Sequence, residues 1–212
     1  MEITSQINEV LKDFKELHYF EDEKCFRGKI FILDDDFYEV EIRINEFPNA
    51  FPIVKETLLR IPRKPDRHVY TDTQSLCFTT KAKADIFLKT KIKTIKHFIL
   101  EILIPYLRNN SYYEINGKYF NEEYSHGALG ILESYKDILK IEKRDKIIKV
   151  INDRLKGRNI RNCEVCYCGS GKSLVNCSNG KHIRGYQKLK LISLSCLRND
   201  LTLILGKTKS AL

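Results

Sequence analysis

Apolar residues near the N-terminus fall at Ile3, Ile7, Val10, Leu11, Phe14 and Leu17. This i, i+3, i+4, i+7 spacing puts one stripe of a helix against a core and predicts a helix over 3–18. The period then shortens to that of extended chain. Residues 29–33 form a short apolar run, and Asp34, Asp35 and Asp36 supply turn chemistry. From 37 to 44, Tyr38, Val40, Ile42 and Ile44 alternate with Glu39, Glu41 and Arg43, which predicts a hairpin. A third strand is predicted over 55–61, bracketed by prolines at 48, 52, 62 and 65 that hold the residues before them extended. Residues 66–92 show no sustained period and read as a long structured loop, a kind usually tied to function. Helices are predicted over 93–107, 127–139 and 143–155, with a Tyr- and Asn-rich loop over 111–124. After a cysteine-rich stretch, apolar periodicity resumes over 186–205 as a further helix.

An N-terminal helix, then antiparallel strands, then a long loop and helices is an α+β order, and it argues against a doubly wound nucleotide-binding fold. The 212 residues allow one or two domains. No apolar run reaches the roughly 18 residues of a membrane span. The densest stretch, Phe98 to Leu107, is broken by Glu101 and Pro105. The first residues are polar and periodic, unlike a signal peptide.

The net charge of +9 is unevenly spread. Residues 1–140 carry 21 basic and 23 acidic side chains, whereas 141–212 carry 16 and 5. The expected division is therefore a domain over 1–140 and a basic helical segment over 141–212. Long-range attraction from that segment fits contact with nucleic acid or an acidic protein; a solvated cationic face fits the same count. The seven cysteines are uneven too. Cys25, Cys77 and Cys196 stand apart, while Cys163, Cys166, Cys168 and Cys177 lie close together. An odd count without a leader points to a reducing, cytoplasmic compartment, where clustered cysteines suggest metal and an isolated exposed one a nucleophile.

Cys77 closes the run His68-Val69-Tyr70-Thr71-Asp72-Thr73-Gln74-Ser75-Leu76-Cys77. Taken alone, the spacing also suits a cysteine packed as a small hydrophobe. The surrounding order, however, resembles the ubiquitin-conjugating enzymes: N-terminal helix, β-meander, a proline-rich exit at Phe47-Pro48 and Phe51-Pro52, then a long flap with one cysteine. A further stretch, Tyr113-Glu114-Ile115-Asn116-Gly117-Lys118-Tyr119-Phe120 followed by Tyr124-Ser125-His126-Gly127-Ala128-Leu129-Gly130-Ile131, resembles bacterial conjugating-enzyme-like proteins of anti-phage cyclic-oligonucleotide signalling systems. The resemblance covers about residues 1–140. It implies that Cys77 is a thioester-forming nucleophile and that its partner is a cGAS-type nucleotidyltransferase whose C-terminus it carries to an amine. The asparagine that follows the family's histidine has no counterpart, since Val69 and Tyr70 stand there. Such chemistry needs a reactive thiol, an oxyanion donor and a base. Backbone amides of 75–79 are the candidate donors. His68, Asp72, Asp85 and His126 are the titratable candidates, with His68 and His126 placed beside Cys77 in the catalytic set. His68 also suits a loop-orienting role, and His126 a cap at a helix start.

The segment Cys163-Glu164-Val165-Cys166-Tyr167-Cys168-Gly169-Ser170-Gly171-Lys172-Ser173-Leu174-Val175-Asn176-Cys177 carries metal-ligand spacing. Gly169 and Gly171 permit the turns that bring two arms onto one ion. A phosphate-binding loop is excluded, because the position five before Gly171 is Cys166 and no apolar strand precedes it. The stretch resembles the SEC-C zinc motif, which implies a small structural zinc knuckle over 163–182 with Cys166, Cys168 and Cys177 as ligands. The family's fourth ligand position holds Ser178. His182 or Cys163 can replace it, with His182 expected. In that family the knuckle docks proteins, which implies partner recruitment. A catalytically inactive scaffold of the same fold and a zinc-dependent nucleic-acid binder are the rival readings.

Overall fold

The computed structural model describes residues 2–120 and 124–206. The chain forms two compact units, one of residues 1–78 and 87–123, the other of 79–86 and 124–212. The change of composition near residue 140 falls inside the second unit.

The first unit is an α+β arrangement. Helix α1 (Ile3–Asp13) is followed by β1 (Leu17–Phe20), β2 (Cys25–Phe31), β3 (Phe37–Arg43) and β4 (Ile53–Glu56), an antiparallel sheet in chain order. The β2–β3 hairpin follows the predicted alternation, with Tyr38, Val40 and Ile42 buried. Strand β1 lies where a continued helix was predicted. The helix ends at Asp13, and Leu17 pairs with Gly28 across the sheet. Leu17 thus fills a core position as a strand residue, a choice made by pairing with β2 and invisible to periodicity. Gly28 has φ +139°, and a Cβ there would sit 1.9 Å from the Glu16 carbonyl oxygen.

The third predicted strand starts earlier and stops at Glu56. The buried Glu56 carboxylate accepts hydrogen bonds from the amides of Leu58 (2.9 Å) and Ile61 (3.2 Å), which turns the chain away from the sheet. The expected loop over 66–92 contains α2 (Lys81–Thr90), whose first turns belong to the second unit. The helix predicted over 93–107 runs further, as α3 (Ile95–Phe98), a wide π turn at Ile99–Leu103 and α4 (Ile104–Asn116). The wide turn precedes Pro105, which has no N–H to donate into the helix. The polar residues that read as loop are helical because tertiary partners satisfy them. Ser111 and Glu114 bond the Tyr38 hydroxyl (2.9 and 3.2 Å), and just ahead of that stretch Asn110 accepts from Arg67 (2.9 Å). Arg60 joins Asp36 (2.5 Å) to Glu114 (2.8 Å).

The second unit is helical around its own apolar cluster. Helices α5 (Gly127–Leu139) and α6 (Arg144–Leu155) match their predicted ranges, and α7 (Lys181–Leu191) and α8 (Leu194–Ile204) replace the single helix expected over 186–205. The break has a local cause. The Ser193 hydroxyl accepts from the Cys196 amide (3.3 Å) and so starts a new helix, while the Ser193 amide donates to Asp85 (2.8 Å). Within this core the Tyr135 hydroxyl donates to Asp200 (2.9 Å), as does the Cys196 thiol (3.4 Å). Among the described residues no helix is long and apolar enough to cross a membrane.

Two outcomes are expected. Gly28→Ala should cost about 2 kcal/mol or more, because backbone must shift, whereas Gly117→Ala, open but left-handed, should cost about 1 kcal/mol; denaturant unfolding ranks the two. Burial raises the Asp200 carboxyl above the ordinary carboxylate range, against the bonds from Tyr135 and Cys196 and the charge of Lys81, with Asp85 adding to the rise. The folded state therefore binds this proton more tightly than the unfolded chain. Its stabilising effect is present below the ordinary carboxylate pKa and is lost as pH rises through the raised one. Melting curves across that acid range should show this slope in wild type and not in Asp200→Asn.

Candidate functional site

The cysteine-rich stretch folds back on itself before it reaches α7. Val165 bridges Ser173, the Leu174 amide donates to Glu164 (2.9 Å) and the Val175 amide to Asn162 (3.1 Å). At the tip, the Cys166 amide donates to Lys172 (2.9 Å) and the Gly169 amide to Cys166 (3.0 Å). Gly169 and Gly171 take φ +81° and +78°, as their turn role required. Beyond Cys177 the chain passes through three left-handed residues, Ser178, Asn179 and Gly180. That run reverses the chain, so that His182, one residue into α7, faces the cysteines.

Cys166, Cys168, Cys177 and His182 come together, their ligand atoms all within 4.8 Å of one another. His182 Nδ1 lies 3.1 Å from Cys177 Sγ and 3.4 Å from Cys166 Sγ, and Cys168 Sγ lies 3.5 Å from Cys177 Sγ. A tetrahedral ion with sulfur at about 2.3 Å separates its ligands by a little under about 4 Å, so the group has the span of one metal ion. The choice between His182 and Cys163 falls to His182; Cys163 is exposed and outside the group. His182 Nε2 lies 3.0 Å from the Lys140 carbonyl. Donation there leaves Nδ1 as the lone pair that faces the thiols, the outer hydrogen bond typical of metal-bound histidine.

The thiols are prepared unequally. Burial raises the Cys166 thiol, against a hydrogen bond from the Cys168 amide. Burial also acts on Cys168, but bonds from the Ser170 hydroxyl and amide and from the neighbouring thiols outweigh it, and its pKa is lowered. Ser170 Oγ also lies 3.2 Å from Cys177 Sγ. Two supporting residues went unnoticed in the sequence. The Tyr167 hydroxyl shares its proton between the carbonyls of Leu139 (2.7 Å) and His182 (2.9 Å). At Gly185 a Cβ would lie 2.6 Å from the Ile138 carbonyl, so only glycine lets α7 approach the end of α5 this closely. Glycine, Tyr and a backbone carbonyl leave no spacing signature; only the fold shows them.

Cys77 lies in the first unit, half-buried, at the end of a tight hairpin. Val69 bridges Leu76, the Tyr70 amide donates to Ser75 (2.9 Å), and the Leu76 amide donates to Val54 of β4 (2.8 Å). The Cys77 amide donates to the His68 carbonyl (2.7 Å). The Tyr106 hydroxyl shares its proton between that carbonyl and the one of Arg67 (3.0 Å each). His68 is buried and left-handed at φ 51°, and its ring lies 5.6 Å from that of Tyr119. Tyr70, which sequence reasoning passed over, places its hydroxyl on the Cys77 thiol; burial and that hydrogen bond raise its pKa above the ordinary phenol range. Of the proposed oxyanion donors, the amides of Ser75, Leu76 and Cys77 are already bonded to Thr73, Val54 and His68. Asp72 accepts from the Thr73 amide (2.8 Å) and Asp85 from Ser193, both structural uses. His126 belongs to the second unit, at the N-cap of α5 with no side-chain cap hydrogen bond. There Glu133 binds the Ser125 amide (2.7 Å) and hydroxyl (2.9 Å).

Protein purified without chelator is expected to carry about one metal ion per chain. Cys177→Ser and His182→Ala should weaken metal affinity at least about tenfold, and Cys163→Ser should leave it unchanged; elemental analysis with a competing chelator reads the difference. Comparison with protein-family models, with curated proteins and with solved structures returned no match.

Proposed function

We propose that the protein is a ubiquitin-conjugating-like enzyme that uses Cys77 as its nucleophile and carries a structural zinc ion on Cys166, Cys168, Cys177 and His182. The observation that carries the first part is the setting of Cys77. Its thiol is half-buried beneath Tyr70, and its backbone is tied to the His68 carbonyl at the end of a short hairpin that follows a four-stranded meander. Helix, meander, flap and single cysteine stand in the order of the conjugating family. Three thiols and an imidazole, soft and borderline donors in a closed group, suit zinc in a structural role.

The chemistry is acyl transfer. The Cys77 thiolate attacks the carbonyl of a thioester-activated C-terminus, supplied by an adenylating activating enzyme, and the activating enzyme's thiolate leaves. A substrate amine then attacks the Cys77 thioester. The amide bond forms, the carbon–sulfur bond breaks, and the amine proton passes to a base. His68, buried beside Tyr119, is a loop-orienting residue in this scheme. The modifier implied by the resemblance is a cGAS-type nucleotidyltransferase in bacterial anti-phage defence, acting in the reducing cytoplasm.

Co-expression with neighbouring operon proteins tests the reading. Wild type should give an adduct released by thiol reductant, Cys77→Ser an oxyester that survives it, and Cys77→Ala none. Absence of any adduct on wild type and on Cys77→Ser across all partner combinations would sink the enzyme reading and leave a scaffold of the same fold.

A further inference from the structure

Between Glu164 and Asp200 the chain has no acidic residue, yet it has Lys172, Lys181, Arg184, Lys188, Lys190 and Arg198. The helical period of α7 sorts them. His182, Gly185, Tyr186 and Leu189 are buried on one side. Lys181, Arg184 and Lys188 stand at i, i+3 and i+7 on the exposed side, next to Gln187. Elsewhere in the same unit some basic side chains meet carboxylates: Lys83 and Lys140 meet Asp137, Lys136 meets Glu142, and Arg161 meets Glu164. Among the described residues none of the three stripe cations pairs with a carboxylate.

We infer that the exposed stripe of α7 binds the phosphodiester backbone of a nucleic acid, with Lys181, Arg184 and Lys188 as its phosphate contacts. Three cations spread over seven residues of helix span roughly 10 Å, a length over which one strand of a duplex presents about three phosphates. Lys181 opens the helix, so the positive end of the macrodipole adds to the same field. The side chains are carried on a backbone already fixed from behind, since His182 belongs to the metal group and Gly185 sits against the Ile138 carbonyl. Little ordering of the helix is then required on binding. The composition of the stripe decides between two polyanions. A protein-docking surface centres on aromatic and apolar residues and is poor in lysine, whereas nucleic-acid interfaces are polar and strongly positive. The outward face of α7 offers Lys, Arg and Gln and no apolar side chain. This inference is independent of the Cys77 chemistry.

The test uses the full-length metal-loaded protein and fluorescence anisotropy with labelled 20-mers of single-stranded DNA, duplex DNA and RNA across a salt series. Wild type should bind at low salt and weaken linearly in log–log form. The triple variant K181E/R184E/K188E should bind at least about tenfold more weakly at low salt. On single strands its salt slope should be shallower by about 2, at roughly 0.7 per phosphate contact. All three positions are exposed, so metal content and melting temperature should not change; K181Q/R184Q/K188Q serves if the reversed variant fails to fold. Failure of wild type to bind any probe at low salt, or unchanged binding by the triple variant, would overturn the inference. So would displacement by poly-glutamate at least as potent as by unlabelled oligonucleotide at equal charge, which would assign the stripe to an acidic protein.

Discussion

His182 is held from both sides, by thiols at one ring nitrogen and by the Lys140 carbonyl at the other. Much of the second unit follows from this. The last carbonyls of α5 are orphans of helix geometry and need donors. Tyr167 answers Leu139, and His182 answers Lys140. The knuckle thus caps a helix with the same residues that organise its ligands. The left-handed run from Ser178 to Gly180 and the bare Cα of Gly185 make that double use sterically feasible. A segment this short and polar has little apolar surface to bury, so a metal ion held by these four residues would add its binding free energy to folding.

In the first unit the corresponding device is made of backbone carbonyls. One tyrosine hydroxyl, from Tyr106, bridges the carbonyls of Arg67 and His68, and the second of these also receives the Cys77 amide. The thiol is therefore positioned through main chain, with β4 gripping the same hairpin at Leu76. Loop order here comes from backbone carbonyls, which any residue supplies. The same hairpin brings the Tyr70 hydroxyl onto the thiol.

Legibility in the sequence followed locality. The β2–β3 hairpin, α5 and α6 were readable because burial of one face imposes a period on neighbouring residues. The members of the metal-capable group and their turn glycines were readable because a tetrahedral ion constrains spacing over a few residues. Errors arose where distant partners overrode local preference. Leu17 fitted a helical stripe and became a strand by pairing with Gly28. Ser111 and Glu114 looked like loop until the Tyr38 hydroxyl satisfied them. Glu56 ended a strand by binding two amides downstream.

The sequence by itself determined an α+β chain with an antiparallel meander, a basic C-terminal third, an isolated cysteine in a flap and a cysteine cluster with metal spacing. These are properties of composition and of short-range period, which neighbouring residues already encode. Spacing already favoured His182 as the fourth member of the cluster; tertiary structure decided it over Cys163, since the histidine's approach depends on three left-handed residues and on a glycine contact with another helix. It also decided which cations of the basic third stand together on α7 with no carboxylate partner among the described residues. Both are matters of three-dimensional convergence, where groups separated along the chain meet because steric fit and hydrogen-bond satisfaction admit that arrangement.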